Sequence, residues 1–245
     1  MVVKEYGKNN NDIIILLHGG GLSWWNYEEV SEKLKIKYHI VLPILDGHSG
    51  SDSDFISIER NADEIIEYID KNYNGRVRLI GGLSLGAQIL LEILSKRDNI
   101  CEYAIIESAL AYPMEVTNKL VGLSINMSYG LIHKKWFSKL QYKSLKFKTE
   151  LFNKYYIDSS NISKKNMISF LKANTNYQIK NIENNKSKSI VVVGSKERTI
   201  MIKSAKKIHN KLNNSELEIL KGYCHGDLSI NHSDEYVKKI IELIK

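Results

Sequence analysis

One serine stands where its hydroxyl could react. The segment G-L-S-L-G, residues 82–86, sets Ser84 between two glycines, after the aliphatic run V-R-L-I and before the helical pattern L-G-A-Q-I-L-L-E-I-L. A serine in a strained strand-to-helix turn needs glycines beside it, because neighbouring Cβ atoms would clash. Such a turn points the hydroxyl outward above a helix N terminus, where negative charge is favoured. The alternative is that Ser84 only caps the helix.

This arrangement resembles the nucleophile turn of the α/β-hydrolase superfamily, and a second motif supports the resemblance. In I-I-I-L-L-H-G-G-G, residues 13–21, a His-Gly pair follows an early strand. The resemblance implies that the backbone N–H of Gly20, with Gly21 as the alternative, binds an oxyanion together with the N–H of Leu85. Backbone donors suit this task because they are fixed before the charge appears. His18 is expected to hydrogen-bond the loop and to take no part in catalysis.

Two later motifs correspond to the base and the acid of the superfamily. After the last predicted strand, K-G-Y-C-H-G places His225 as the general base, and I-V-V-V-G-S-K-E places Glu197 as the acid. The order Ser, Glu, His matches that of α/β-hydrolases. Glu107, which ends the preceding strand in A-I-I-E, is the second candidate for the acid. The alternative for Glu197 is a surface residue paired with a neighbouring basic side chain.

One turn departs from the superfamily pattern. The typical G-H-G-x-S appears here in permuted form as G-H-S-G-S, residues 47–51. This turn is mainly architectural, so His48 and Asp46 are not expected to belong to the triad.

The resemblance implies a serine hydrolase that cleaves carboxylic esters of small to medium acyl chains through an acyl-enzyme on Ser84. A serine hydroxyl is a weak nucleophile near neutral pH and needs an adjacent base. Its partners would be a small-molecule acyl substrate and water, and no metal or organic cofactor is implied. Two alternatives stay open. The same triad serves thioester hydrolysis, C–C bond hydrolysis or acyl transfer, and a hydrolase fold can also act as a non-catalytic ligand-binding protein.

The elements that must position these residues alternate between strands and helices, which predicts an α/β fold with a mostly parallel, doubly wound sheet. Several aliphatic runs are continuously apolar, as in strands covered on both faces. The predicted strands are 2–6, 13–17, 38–42, 77–80, 103–106, 189–193 and 216–220. The predicted helices are 27–34, 58–73, 85–96, 200–212 and 234–244.

The alternation stops between residues 109 and 188, where only helical patterns occur. We therefore predict a core domain formed by residues 1–108 and 189–245, with a helical cap, residues 109–188, inserted between two strands. The apolar residues of this inserted segment would form the core of the cap or line a pocket: Met114, Leu120, Leu123, Met127, Tyr129, Trp136, Phe137, Phe152, Tyr155, Tyr156 and Phe170. Trp24, Trp25 and Gly21, beside the glycine loop, are the candidate substrate-binding residues, and core packing is the equal alternative for the two tryptophans.

The formal charge of +7 is concentrated in the inserted segment. Residues 134–188 hold 13 lysines, three acidic residues and no arginine. This stretch has no nucleic-acid-binding signature, and specific base contacts are made mostly by arginine, so nucleic acid is not an expected partner. A solvated helical face explains the lysines, and an anionic substrate or an anionic membrane surface is the alternative.

Composition and cysteine content describe a globular chain in a reducing compartment. The hydrophobic content is 43%, close to the globular norm. Cys101 and Cys224 are the only cysteines, too few for a disulfide framework. The N-terminal residues show no secretory pattern, and no apolar run reaches the length of a transmembrane helix. The expected location is the cytoplasm, and the sequence does not predict the oligomeric state.

Overall fold

The centre of the molecule is one seven-stranded sheet, seen in a computed structural model that describes all 245 residues. The strands lie in the order β1-β3-β2-β4-β5-β6-β7. Only the β1–β3 pair is antiparallel. The strands are β1 (Val3–Tyr6), β2 (Ile13–Leu17), β3 (His39–Pro43), β4 (Val77–Leu83), β5 (Cys101–Glu107), β6 (Lys188–Gly194) and β7 (Ser215–Leu220). The predicted mostly parallel sheet is confirmed.

Ten α-helices and two short 3-10 segments, Trp24–Tyr27 and Thr149–Leu151, accompany the sheet. The helices are α1 (Glu28–Leu34), α2 (Ile58–Tyr73), α3 (Leu85–Lys96), α4 (Glu115–Ile132), α5 (Lys135–Leu145), α6 (Phe152–Asn161), α7 (Lys164–Asn176), α8 (Thr199–Lys211), α9 (Asp227–Asn231) and α10 (Ser233–Ile244). None of them combines the length and the apolar character that crossing a membrane requires.

The sheet is covered on both faces, as β2 illustrates. All five residues of its sequence I-I-I-L-L are buried. Because side chains alternate along a strand, Ile13 and Ile15 join a cluster with residues of α2, α3 and α8. Ile14 and Leu16 join the second cluster, with residues of α1 and α10. Two hydrophobic cores on opposite faces of one sheet are the doubly wound arrangement that the sequence predicts.

The carboxyl end of β4 reaches further than the sequence predicts. The strand continues to Leu83, because Gly81 and Gly82 pair in register with Ile105 and Ile106 of β5. A Cβ on Gly81 would lie 2.7 Å from the hydroxyl oxygen of Tyr236, so close packing requires glycine there. The longer strand carries the chain to the edge of the sheet, where Ser84 begins the next turn.

Between β5 and β6 the chain contains helices only, α4 to α7. Helices α4 and α7 pack against each other, and α7 also contacts α2. This arrangement fits the predicted insertion, and the boundaries 109 and 188 stay a prediction.

Candidate active site

Ser84 occupies a strained turn between β4 and α3. Its backbone has φ 53° and ψ −111°, a left-handed conformation that costs a non-glycine residue about 1–3 kcal/mol. A Cβ on Gly82 would lie 2.5 Å from the carbonyl oxygen of Gly86, and a Cβ on Gly86 would collide with the carbonyl oxygen of Leu17. Both flanking glycines are therefore needed for the turn.

The Ser84 side chain does not cap helix α3. It accepts no hydrogen bond from the first turn of the helix, so the alternative that Ser84 serves only as a helix cap is wrong. Ser84 instead lines a cavity of about 320 Å³ together with His225. No hydrogen bond joins the Ser84 hydroxyl to the imidazole in this structure. Such bonds are often long in ligand-free enzymes and shorten when substrate binds.

His225 and Glu197 form a hydrogen-bonded pair at the carboxyl edge of the sheet. Nδ1 of His225, in the loop after β7, donates to Oε2 of Glu197 at 2.7 Å. Glu197 follows β6, and its Oε1 accepts from the Ser108 hydroxyl at 2.7 Å and from the Gly194 N–H at 2.8 Å. Because Nδ1 carries the proton, Nε2 of the neutral ring is the acceptor.

Opposing effects set the pKa values of this pair. Burial raises the pKa of Glu197, whose side chain is 1% exposed, but the hydrogen bond and charge of His225, followed by Ser108 and Gly194, outweigh it and lower the pKa. Partial burial lowers the pKa of His225, whose side chain stays partly exposed, but the hydrogen bond and charge of Glu197, with the charge of Glu107, raise it above the ordinary value. The pair therefore favours an ionised carboxylate beside a basic imidazole.

Ser108 is the member of this site that sequence reasoning missed. Its backbone is left-handed, with φ 53°, directly after β5. The available signal was its position: a hydroxyl immediately after a strand, at the same edge of the sheet as Ser84 and Glu197.

Glu107 lies behind the pair and does not bond to the imidazole. Its side chain is 2% exposed, and its Oε1 accepts from the backbone N–H of Ser229 at 3.2 Å. Burial raises the pKa of Glu107 to about 7, against the hydrogen bonds from Ser229 and with the charge of Glu197 adding to the increase. Of the two candidate acids, Glu197 is the one that contacts His225.

The glycine loop after β2 lies beside the serine turn. Gly20 and Gly21 line the same cavity as Ser84, and a Cβ on Gly20 would lie 3.5 Å from Cδ2 of Leu85. The backbone N–H groups of Gly20 and Leu85 donate to no carbonyl oxygen. Two free N–H groups on adjacent segments are available to a negatively charged oxygen.

The histidines excluded from the site are structural. His18 is buried; it accepts from the Leu45 N–H at 3.1 Å, so its Nδ1 carries the proton and donates to the Gly19 carbonyl at 2.9 Å. Burial lowers its pKa to about 3. His48 stacks on Phe170 with ring centres 4.6 Å apart, and burial lowers its pKa to about 4. Both side chains are neutral near pH 7.

The two tryptophans predicted to bind substrate lie outside the wall of the cavity. Trp25 is buried, and its Nε1 donates to Asp158 at 2.6 Å. The ring of Trp24 is covered by the ammonium groups of Lys4 and Lys154, at 5.4 and 5.6 Å. These tryptophans hold the early loop against α6, so the expectation of a substrate contact is corrected.

The wall of the cavity is mostly apolar, and His225 is its only side chain with a basic or acidic group. Its larger side chains come mainly from the inserted segment: Ile125, Ile132, Phe147, Tyr155, Met167 and Phe170. Of the aromatic residues considered from sequence, only Tyr155 and Phe170 reach it. No lysine of the inserted segment lines this cavity.

His225 also borders a second, more open cavity of about 400 Å³. Lys146, Lys196 and Arg198 line it together with Cys224. His225 thus borders both cavities, and its side chain is 44% exposed. No group of three or more His, Cys, Asp and Glu side chains is arranged to hold a metal ion.

Comparison with solved structures identifies the fold. The chain superposes on a thermophilic esterase from Thermogutta terrifontis with a TM-score of 0.79 and 14% identity, covering 98% of this chain and 91% of that one. Superposition on MenH from S. aureus gives a TM-score of 0.77 and 19% identity, covering 99% of this chain and 97% of that one. Superposition on the enol-lactonase from Burkholderia xenovorans LB400 gives a TM-score of 0.80 and 12% identity, covering 99% of this chain and 95% of that one. No family model and no curated sequence matches. The chain has the α/β-hydrolase fold.

Proposed function

We propose that the chain is a serine hydrolase that cleaves carboxylic esters of small to medium acyl chains. The observation that carries this proposal is the 2.7 Å hydrogen bond from His225 to Glu197, beside a cavity that Ser84 enters from a strained turn. The structural similarity to esterases from other organisms agrees with it.

The first half of the proposed reaction forms an acyl-enzyme. Ser84 Oγ attacks the ester carbonyl carbon while Nε2 of His225 takes the hydroxyl proton. Negative charge develops on the carbonyl oxygen, which the N–H groups of Gly20 and Leu85 stabilise; one such donor is worth about 3 kcal/mol. The C–O bond to the alcohol then breaks, and His225 returns the proton to the leaving oxygen.

The second half releases the acid. Water attacks the acyl carbon and gives a proton to His225, which passes it to Ser84 Oγ as that oxygen leaves. Glu197 stays ionised throughout, because it orients the ring through Nδ1 and stabilises the imidazolium without taking its proton.

The size and character of the cavity support the proposed substrate class. A volume of about 320 Å³ lies at the lower end of the range for small-molecule sites. Its walls favour an uncharged acyl group, and residues 109–188 act in this proposal as a cap over it. The two cysteines are unpaired, and we retain a reducing cytoplasm as the proposed location.

A serine-directed probe tests the proposal most directly. A fluorophosphonate should label the wild-type protein on Ser84 and leave Ser84→Ala unlabelled, and p-nitrophenyl esters of increasing chain length should be hydrolysed only by the wild type. An acyl-thioester panel run in parallel ranks the two acyl classes. Absence of both labelling and turnover would reject the hydrolase and favour a ligand-binding protein.

A further inference from the structure

The outer surface of the inserted segment carries an uncovered apolar face. It consists of Val116, Leu120, Leu123 and Met127 on α4 with Trp136 and Leu140 on α5, each 50–76% exposed. These six residues are more than half of the eleven large apolar side chains that the protein exposes. Spacings of four, three and four along α4 place its members on one stripe.

The inner faces of the same helices are already occupied. Ile125 and Ile132 of α4, with Gln141 and Leu145 of α5, line the substrate cavity. A helix that packs on one side only is normally polar on its other side. Helices α4 and α5 are apolar on both sides, so the outward stripe is not explained by packing within the chain. A row of exposed apolar side chains at helical spacing, as on α4, typically marks an interaction site.

The charge around the apolar face indicates what covers it. Five exposed lysines lie on α4, on α5 or at the junction between them: Lys119, Lys134, Lys135, Lys139 and Lys143. Glu115 is the only acidic residue from 109 to 149. A second copy of the chain would bring two groups of lysines together, which like-charge repulsion disfavours. An anionic surface would satisfy them.

We propose that the apolar face docks on an anionic lipid bilayer. The six apolar side chains enter the boundary between headgroups and acyl chains, and the lysines contact anionic headgroups, as in amphipathic helices that lie in the membrane plane. The helices lie on the membrane and do not cross it. Because α4 and α5 also form the cavity wall, the lipid surface lies about one helix diameter, roughly 10 Å, from the substrate site.

Vesicle flotation measures this docking without depending on hydrolysis, and Ser84→Ala is used so that turnover cannot interfere. The protein should float with vesicles of phosphatidylcholine containing phosphatidylglycerol and remain behind with phosphatidylcholine alone. Leu123→Ser/Met127→Ser/Trp136→Ser and Lys135→Glu/Lys139→Glu should each weaken binding to the anionic vesicles about tenfold or more. Added salt should weaken it as well.

Ile36→Ser/Ile56→Ser is the matched control, because these side chains are 82% and 73% exposed outside the apolar face. It should bind as the parent does, and thermal melting checks that every variant is folded. Equal binding to neutral and anionic vesicles, or no loss in the apolar variant, overturns the proposal. So does a concentration-dependent dimer in sedimentation that the apolar variant abolishes, since the face would then join two copies of the chain.

Discussion

The carboxylate of Glu197 is the most constrained charged group at the site. It receives hydrogen bonds from His225, Ser108 and the Gly194 N–H, and its side chain is almost fully buried. Three donors on one buried carboxylate hold both its ionised state and its orientation. The imidazole is thereby fixed with Nδ1 protonated, which is the tautomer that a base acting through Nε2 requires.

Replacing this carboxylate separates the two candidate acids. Glu197→Gln should lower kcat for a p-nitrophenyl ester by about 10³–10⁴-fold, because an amide no longer holds the required tautomer or stabilises the imidazolium. Glu107→Gln should keep kcat within about tenfold, since Glu107 influences His225 only through its charge. Equal losses in both variants, or the reverse order, would remove Glu197 from the proposed triad.

The pKa of His225 reports the same hydrogen bond between His225 and Glu197. Its pKa is raised in the folded protein because the hydrogen bond and charge of Glu197 outweigh the effect of burial. In a Ser84→Ala background, NMR titration should therefore give His225 a pKa above 6.5, and adding Glu197→Gln should lower it. The acid limb of kcat/KM should follow the wild-type pKa, because only the neutral ring acts as a base. A titration unmoved by Glu197→Gln contradicts the assignment.

The buried carboxyl of Glu107 should make the folded protein less stable as the pH rises. Its pKa is raised from 4.5 to about 7 by burial, so folding favours the protonated form. This contribution to stability is present below pH 4.5 and is lost as the pH rises through 7. Glu107→Gln, which stays neutral, should match the wild type near pH 4.5 and exceed it at pH 8 by on the order of 3 kcal/mol. Urea unfolding at the two pH values measures this, and a variant no more stable at pH 8 refutes it.

At the scale of elements, local pattern predicted most of the fold. Buried strands such as β2 are continuous aliphatic runs, and such runs can be recognised in the sequence. The extension of β4 through Gly81 and Gly82 was missed, because pairing with β5 overrides the low strand propensity of glycine. Periodicity shows which residues share a helix face, but it does not show which neighbour covers that face. The sequence places Trp136 in the core or the pocket of the cap, whereas its side chain is exposed in the structure. Trp24 and Trp25 likewise pack away from the cavity.

The two faces of α4 allow a paired test of the cavity. Ile125 points into the cavity, whereas Leu123, two residues earlier, belongs to the exposed apolar face. Ile125→Trp should fill part of the 320 Å³ and lower kcat/KM for octanoyl esters about tenfold or more, while acetyl esters are little affected. Leu123→Trp should leave both substrates unchanged. If both variants gave the same chain-length profile, the acyl group would not bind in this cavity.

At the scale of the whole molecule, the excess positive charge and the cavity that Ser84 lines are separated. The net charge is +7 and its excess lies in the inserted segment, yet no lysine or arginine lines the cavity of about 320 Å³. Sequence composition located the charge but not its direction, because the outward orientation of the lysines depends on how α4 to α7 pack over the core. One part of the chain therefore has two surfaces with different chemistry.

Raising the ionic strength should weaken vesicle binding by the outer surface and leave hydrolysis of a neutral ester in the cavity nearly unchanged. Surface charges are screened within about 10 Å at 0.1 M salt, so flotation with anionic vesicles should fall steeply as salt rises. Hydrolysis of a neutral, water-soluble ester should change less than about twofold over the same range, because no lysine or arginine lines the cavity proposed to hold the acyl group. An ester with an anionic alcohol portion is the third substrate to test, because Lys146, Lys196 and Arg198 line the second cavity beside His225, the residue proposed to protonate the leaving oxygen. Its kcat/KM should fall with salt if the alcohol portion enters that cavity. A neutral ester whose turnover falls in parallel with vesicle binding would show that the lysines act at the substrate site, contrary to the structure.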